Sequence, residues 1–205
     1  GIEDVTGRDA RELRRKSKTM FNAVCELVRL SKMNLTGWSE EAGFSADNVS
    51  DEELDELCAH YDIETNGHRN RTYEVTREVL DWSSKIEECG EIDFDDQNWL
   101  PVVLDLEIPQ TGFLMVDEAQ DLPRVRQEFA ICQGQRLMVV GDDRQAIYGF
   151  AGADTEALPR LQKQLGIEEH FRLTETRRCG KANVEEAGCY VPDFSAHSSN
   201  PTGKV

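Results

Sequence analysis

Asp117 and Glu118 stand side by side directly after four apolar residues, Phe113, Leu114, Met115 and Val116. A second apolar run over residues 137–140 closes on Gly141 and Asp142, with Gln145 just beyond. Acids and a neutral amide grouped this way suit nucleotide hydrolysis. Mg²⁺ takes few carboxylates and keeps most of its hydration, so Asp117 would hold it, chiefly through water. Glu118 would orient or deprotonate the attacking water. Gln145 would lie near the γ-phosphate, where an amide donates a hydrogen bond without adding charge. Tyr148 and Phe150, two residues apart, would stack on the bases of single-stranded nucleic acid. Each also has an ordinary alternative: acids after a strand occur as solvated loop residues, and aromatic residues as packing.

The elements that must position these groups are legible in the apolar pattern. A short run that is apolar at every residue predicts a strand buried on both faces of a parallel sheet. Carboxylates just past such a strand lie at its carboxyl end, where open α/β sheets bind ligands. Residues 122–133 leave room for a crossover helix. The expected unit is therefore βαβ, with two acidic strand ends side by side.

At these residues the chain resembles the UvrD/Rep-like superfamily 1 DNA helicases. Asp117, Glu118, Ala119, Gln120 and Asp121 look like motif II (DEAQD). Residues 141–153, GDDRQAIYGFAGA, look like motif III, and residues 173–178, LTETRR, like motif IV. The close resemblance covers roughly residues 92–188. It implies an α/β fold, a partial RecA-like P-loop NTPase domain with a parallel sheet, preceded by a small helical subdomain. It implies ATP and Mg²⁺ as cofactors, single-stranded DNA as partner, and ATP hydrolysis coupled to movement along that DNA. Gln120, Asp121, Gly141, Asp142 and Arg177 would contact the nucleotide. Arg178 would reach the γ-phosphate across a domain cleft and act with Asp117, Glu118 and Gln145 in catalysis. RNA is disfavoured by the resemblance alone.

Two departures from the family pattern stand out. No GxxxxGK[ST] phosphate loop occurs in the sequence, so the backbone nest and lysine that hold the β- and γ-phosphates are missing. The chain also opens on Gly1, Ile2, Glu3 and Asp4, without Met and without a signal peptide. Both features lead us to expect an internal piece of a longer helicase, inactive by itself. The second departure is Arg177, where motif IV usually carries a tyrosine that stacks on adenine; a guanidinium plane can also stack on a base.

Ahead of the motifs the pattern is helical. Thr6 and Asp9 have capping-box spacing, and Leu13, Met20, Val24, Leu27 and Val28 recur at helical intervals, predicting a helix over residues 8–33. Residues 37–48 read as a loop anchored by Trp38 and Phe44. Ser50 and Glu53 form a second capping box before a short helix. Val75, Val79, Trp82, Ile86 and Cys89 share one stripe, which Gly90 is placed to end. Asp93, Phe94, Asp95 and Asp96 match the DFDD with which the chain of UvrD-like helicases returns from the inserted helical subdomain. A helix over residues 97–106 follows, with Pro101 near its first turn. Beyond motif III we expect a helix over residues 154–165, a short strand at residues 170–173, a helix over residues 179–189, and then a loop. The expected domains are residues 1–90, the helical inserted subdomain; 91–170, the carboxyl-terminal part of the first RecA-like domain; and 171–205, the start of the second.

The formal net charge of −17 weighs against nucleic acid, whose binding rests on Lys and Arg neutralising phosphates. Its distribution tempers this: Arg8, Arg11, Arg14, Arg15, Lys16 and Lys18 cluster, as do Arg172, Arg177, Arg178 and Lys181. Acid concentrated over residues 40–64 suits a protein partner. No apolar run approaches the ~20 residues that span a bilayer. The six cysteines show no CxxC or zinc spacing and read as scattered buried thiols of a reduced, cytoplasmic, DNA-associated chain. Two function classes stay open: part of a DNA helicase motor, or a degenerate relative that binds DNA or protein without hydrolysis.

Overall fold

The computed structural model describes residues 18–145, 157–168 and 171–204. They fall into two compact units, one ending at Leu161 and the other starting at Gln162. In the first, α1 (Lys18–Asn34) buries the expected stripe of Met20, Val24, Leu27 and Val28, extended by Ala23, Leu30, Ser31 and Lys32. The basic cluster ahead of Lys18 lies outside the described residues. The expected loop at 37–48 contains structure of its own. It forms an antiparallel hairpin, β1 (Trp38–Ser39) against β2 (Gly43–Phe44), then a single 3₁₀ turn, Ala46–Asn48. Gly43, at φ +70°, supplies the left-handed backbone that such a tight reversal needs. The hairpin also carries Phe44 edge-on to the ring of Trp99, with centroids 5.0 Å apart.

Helix α2 (Asp51–His60) starts at the expected capping box. Ser50 Oγ accepts the Glu53 N–H at 3.1 Å, and Glu53 Oε2 accepts the Ser50 N–H at 2.9 Å. Helix α3 (Arg69–Ser84) buries Tyr73, Val75, Val79 and Leu80. The stripe expected to run on to Cys89 breaks at Lys85, and one further turn, α4 (Ile86–Cys89), leaves Ile86 exposed. Gly90 ends that turn in the left-handed region at φ 66°. Three polar anchors tie α2 to α3. Arg69 grips Asp55 at 2.6 Å and Asp51 at 3.1 Å, Arg77 reaches Asp51 at 2.5 Å, and the Tyr73 hydroxyl donates to Asp55 at 2.7 Å.

The expected helix after the Asp93–Asp96 segment is shorter than predicted, α5 (Asp96–Val103), and Pro101 sits in its second turn. Proline has no N–H to give the ladder there, and the helix closes two residues later, with the Leu104 N–H bonding the Leu100 carbonyl at 3.0 Å. Asp93 and Asp96 form a reciprocal cap across its start. Asp93 Oδ1 accepts the Asp95 and Asp96 N–H groups at 2.9 and 2.8 Å, and Asp96 Oδ2 accepts the Asp93 N–H at 2.9 Å. Into this cap points Lys32 of α1, only 1% exposed, 2.8 Å from Asp93 and 2.6 Å from Asp96. Its ammonium also lies 5.5 Å from the centroid of the fully buried Trp99 ring. Valines and leucines of α1, α2, α3 and α5 close a single core around this group, and Val125 of the next helix joins it.

That next helix, α6 (Arg124–Gln133), is the crossover of the expected βαβ unit. It links β3 (Leu114–Val116) to β4 (Leu137–Val139), which pair in parallel with Leu114 opposite Leu137, Met115 opposite Met138 and Val116 opposite Val139. The expectation that both faces of β3 are buried is not met. Met115 is 65% exposed and Met138 45% exposed, with Phe113 and Val140 also open. The alternation of a pleated strand explains this: Leu114, Val116, Leu137 and Val139 turn to the partly covered side, and among the described residues the other side stays largely open, with Arg136 over the Phe113 ring at 5.7 Å.

Helix α7 (Ala157–Gln164) runs across the division between the units. In the second unit, the strand expected at 170–173 falls later, at β5 (Glu175–Thr176), while Phe171 and Leu173 are exposed. The closing segment, expected to be a loop, contains β6 (Ser195–Ala196), parallel to β5, with α8 (Lys181–Ala187) between them. Asn200, 7% exposed, fixes this second crossover by donating to the Thr176 and Cys179 carbonyls, both at 2.8 Å. The cysteines are free, as expected, but not buried: Cys132, Cys179 and Cys189 are exposed and Cys25, Cys58 and Cys89 half-buried.

Replacing Lys32 by Ala leaves Asp96, 4% exposed, as an uncompensated buried charge. The variant should lose about 3–5 kcal/mol of stability, read as a fall in the urea midpoint; a shift near zero would mean that the pair does not hold the core. Acid should act on the same layer. The Arg69 hydrogen bond, with that of Tyr73, lowers the Asp55 carboxyl to about 2. Burial pushes Asp93 up, but the hydrogen bonds from Lys32 and from the Asp96 and Asp95 backbones outweigh it and hold it low. A carboxyl lowered on folding stabilises above its unfolded pKa of about 3.9 and loses that contribution as pH falls. The urea midpoint should therefore drop between pH 5 and pH 2, and by less in Asp55→Asn.

Candidate active site

The carboxyl ends of β3 and β4 present their acids side by side because the two strands are parallel and in register. The ladder continues past the strands: Val140 N–H bonds the Val116 carbonyl at 2.8 Å, and Ala119 N–H bonds the Val140 carbonyl at 3.0 Å. Asp117 and Glu118 leave β3 exposed to solvent. Asp117 Oδ1 accepts the Glu118 N–H at 2.9 Å. Glu118 adopts φ 51°, ψ 42°, the left-handed region, which costs a residue with a Cβ roughly 1–2 kcal/mol. Strain of this kind persists only where the surroundings impose it. Here it turns the chain from β3 into the 3₁₀ turn Ala119–Asp121.

Gln120 lies at the centre of the cluster and is 3% exposed. Its Nε2 donates to Glu118 Oε2 at 2.8 Å, and its Oε1 accepts the Asp142 N–H at 3.1 Å. Asp142 in turn uses both carboxylate oxygens, Oδ2 accepting from Gln145 Nε2 at 2.7 Å and Oδ1 from the Arg144 N–H at 3.1 Å. Gly141 makes the close approach possible. A Cβ there would sit 2.7 Å from Gln120 Oε1 and 3.2 Å from the Ala119 nitrogen. Asp121 belongs to the same turn, with its Oδ1 buried and without a hydrogen-bond partner among the described residues.

The structure thus brings together Asp117, Glu118, Gln120, Asp121, Gly141, Asp142 and Gln145. Tyr148 and Phe150 lie outside the described residues. Arg177 and Arg178 are exposed members of the second unit, where the Arg178 N–H bonds Thr176 Oγ1 at 3.2 Å. Among the described residues, no group of three or more His, Cys, Asp or Glu side chains is arranged to cage a metal ion. The donor set fits Mg²⁺ all the same, since that ion is met by one or two carboxylates with water and phosphate completing its shell, and Asp117 offers an exposed carboxylate. Sequence reasoning grouped Gln120 with the ligand contacts and missed both its burial and its bridging role. It also gave no sign of the left-handed Glu118.

Acidic strand ends after a βαβ crossover, behind a helical layer, define a class that the comparisons specify. The model of the UvrD/REP helicase N-terminal domain family matches residues 6–166, and the chain belongs to this family. Among curated proteins, the ATP-dependent DNA helicase Rep of Salmonella typhimurium is 28% identical over 136 residues, which are 61% of this chain and 20% of that protein. The chain therefore spans about a fifth of the length of this relative. Among the described residues, no helix is long and apolar enough to cross a membrane.

The backbone of Glu118 can be tested apart from its carboxylate. In an ordinary conformation Ala is more stable than Gly by about 0.4–1 kcal/mol. At a left-handed position the order should reverse, so Glu118→Gly should unfold at higher urea than Glu118→Ala. The usual order would place residue 118 outside the left-handed region.

Proposed function

We propose that this chain is part of an ATP-dependent DNA helicase or translocase that couples ATP hydrolysis to movement on single-stranded DNA. The observation that carries the reading is the joined cluster at the ends of β3 and β4. An exposed Asp–Glu pair faces solvent there, one buried amide away from the strand end that leads to Gln145. Asp117 would hold Mg²⁺, which when bound would supply electrostatic stabilisation of the transferring phosphate. Glu118 orients the attacking water and accepts its proton. Gln145 donates to the γ-phosphate. Arg178 supplies charge from the second RecA-like domain, and Arg177 stacks on the base. Asp121, Gly141 and Asp142 shape the nucleotide-facing rim, and Tyr148 and Phe150 stack on DNA bases.

In the same reading residues 1–90 are the inserted helical subdomain, 91–170 the carboxyl-terminal part of the first RecA-like domain, and 171–205 the opening of the second. The buried contact of Lys32 with Asp93 and Asp96 supports this assignment, because it seats the returning chain against the helical layer. The setting is intracellular and DNA-associated. In the full-length protein, Glu118→Gln should lower ATP turnover by about 10²-fold or more with nucleotide affinity retained. Turnover near that of the parent protein would remove Glu118 as the base.

A further inference from the structure

We propose that Gln120 is a positioning residue that fixes the Glu118 carboxylate and ties it to the chain segment carrying Gln145. The inference rests on the hydrolytic reading of Glu118 given above. A ligand-contacting amide should present at least one polar end to the site. Gln120 is 3% exposed and spends both ends internally, Nε2 on Glu118 Oε2 at 2.8 Å and Oε1 on the Asp142 N–H at 3.1 Å. An amide can donate to a carboxylate and accept from a backbone N–H at once without carrying charge.

The link has a mechanical sense. Glu118 is exposed and stands on a strained backbone, so among the described contacts its side chain is held by this amide. Asp142, on the other side of the amide, holds Gln145 Nε2 at 2.7 Å. A shift of the Gly141–Asp142 segment is therefore felt at Glu118 through two hydrogen bonds. Gly141 sets the spacing, since an added Cβ would press to 2.7 Å on Gln120 Oε1. The base and the γ-phosphate sensor are thus parts of one hydrogen-bonded unit, and misplacing a reacting group by about 1 Å can cost about 10² in rate.

The test is steady-state ATPase kinetics of the full-length protein carrying Gln120→Glu, Gln120→Met or Gly141→Ala, with Glu118→Gln as reference. Gln120→Glu replaces the donor by a carboxyl against the Glu118 carboxylate. It should lower kcat about tenfold or more and leave KM for ATP within about twofold. Gln120→Met, of similar volume and without the amide, should lower kcat at unchanged KM. It decides the matter should the charged variant fail to fold. Gly141→Ala should lower kcat in the same way from the opposite side of the amide. Parent-like kcat in the Gln120 variants, with Glu118→Gln inactive, overturns the positioning role while keeping the base. A raised KM at unchanged kcat makes Gln120 a nucleotide contact and overturns it too. Full turnover in Glu118→Gln removes the base itself, and with it the group that Gln120 would position.

Discussion

A buried ammonium constrains most of this fold. Lys32 sits on the core stripe of α1 and is almost completely shielded from water, so its charge must be answered locally. Asp93 and Asp96 answer it, and they can do so only if the chain returning from the helical layer passes directly under α1. That passage fixes the start of α5. Trp99, one helical turn from the cap, packs against the same ammonium and receives Phe44 on its edge. Val125 extends the core to α6, and α6 carries the crossover on which the parallel register of β3 and β4 depends. A charge in the helical layer thus bears on the strand ends several elements away.

The strand ends show a different economy of interactions. Their outward groups, Asp117, Glu118 and Gln145, are exposed and gain little from packing. Their geometry is set from beneath, by a buried amide, by a ladder that continues past the strands to Val140 and Ala119, and by a glycine that admits the close approach. The left-handed backbone at Glu118 is a local cost that this substructure sustains. Rigid support below and polar groups above is the arrangement expected where fixed dipoles rather than flexible side chains stabilise developing charge.

Much of this was legible in the sequence. The two apolar runs, their crossover and the capping box at Ser50 each rest on local rules of period and hydrogen bonding, and those rules held. Elements that depend on distant partners were not legible. The hairpin around Gly43 forms because Phe44 finds Trp99, more than fifty residues away. Strand β6 forms because β5 offers an edge, and Asn200 locks the crossover. Lys32 left a faint trace, four residues after Val28 on the apolar stripe, where a lysine needs a buried counter-charge. The role of Gln120 left none, since burial of a polar side chain is a property of the assembled turn and not of its sequence. The two-faced burial expected of β3 failed for a related reason: it requires a covering layer, which a local pattern can imply but not supply.

That uncovered face has a chemical consequence. Met115 and Met138 lie opposite each other on the open side of β3 and β4, 65% and 45% exposed. Oxidation to the sulfoxide would place two polar, chiral groups on a surface whose neighbours, Phe113 and Val140, are apolar. A face altered in that way can no longer pack dry against another layer, so oxidative history becomes a factor in whether this sheet can be built upon. The strand ends that carry Asp117 and Asp142 share these two strands, so the layer such oxidation alters is the one on which the acids stand.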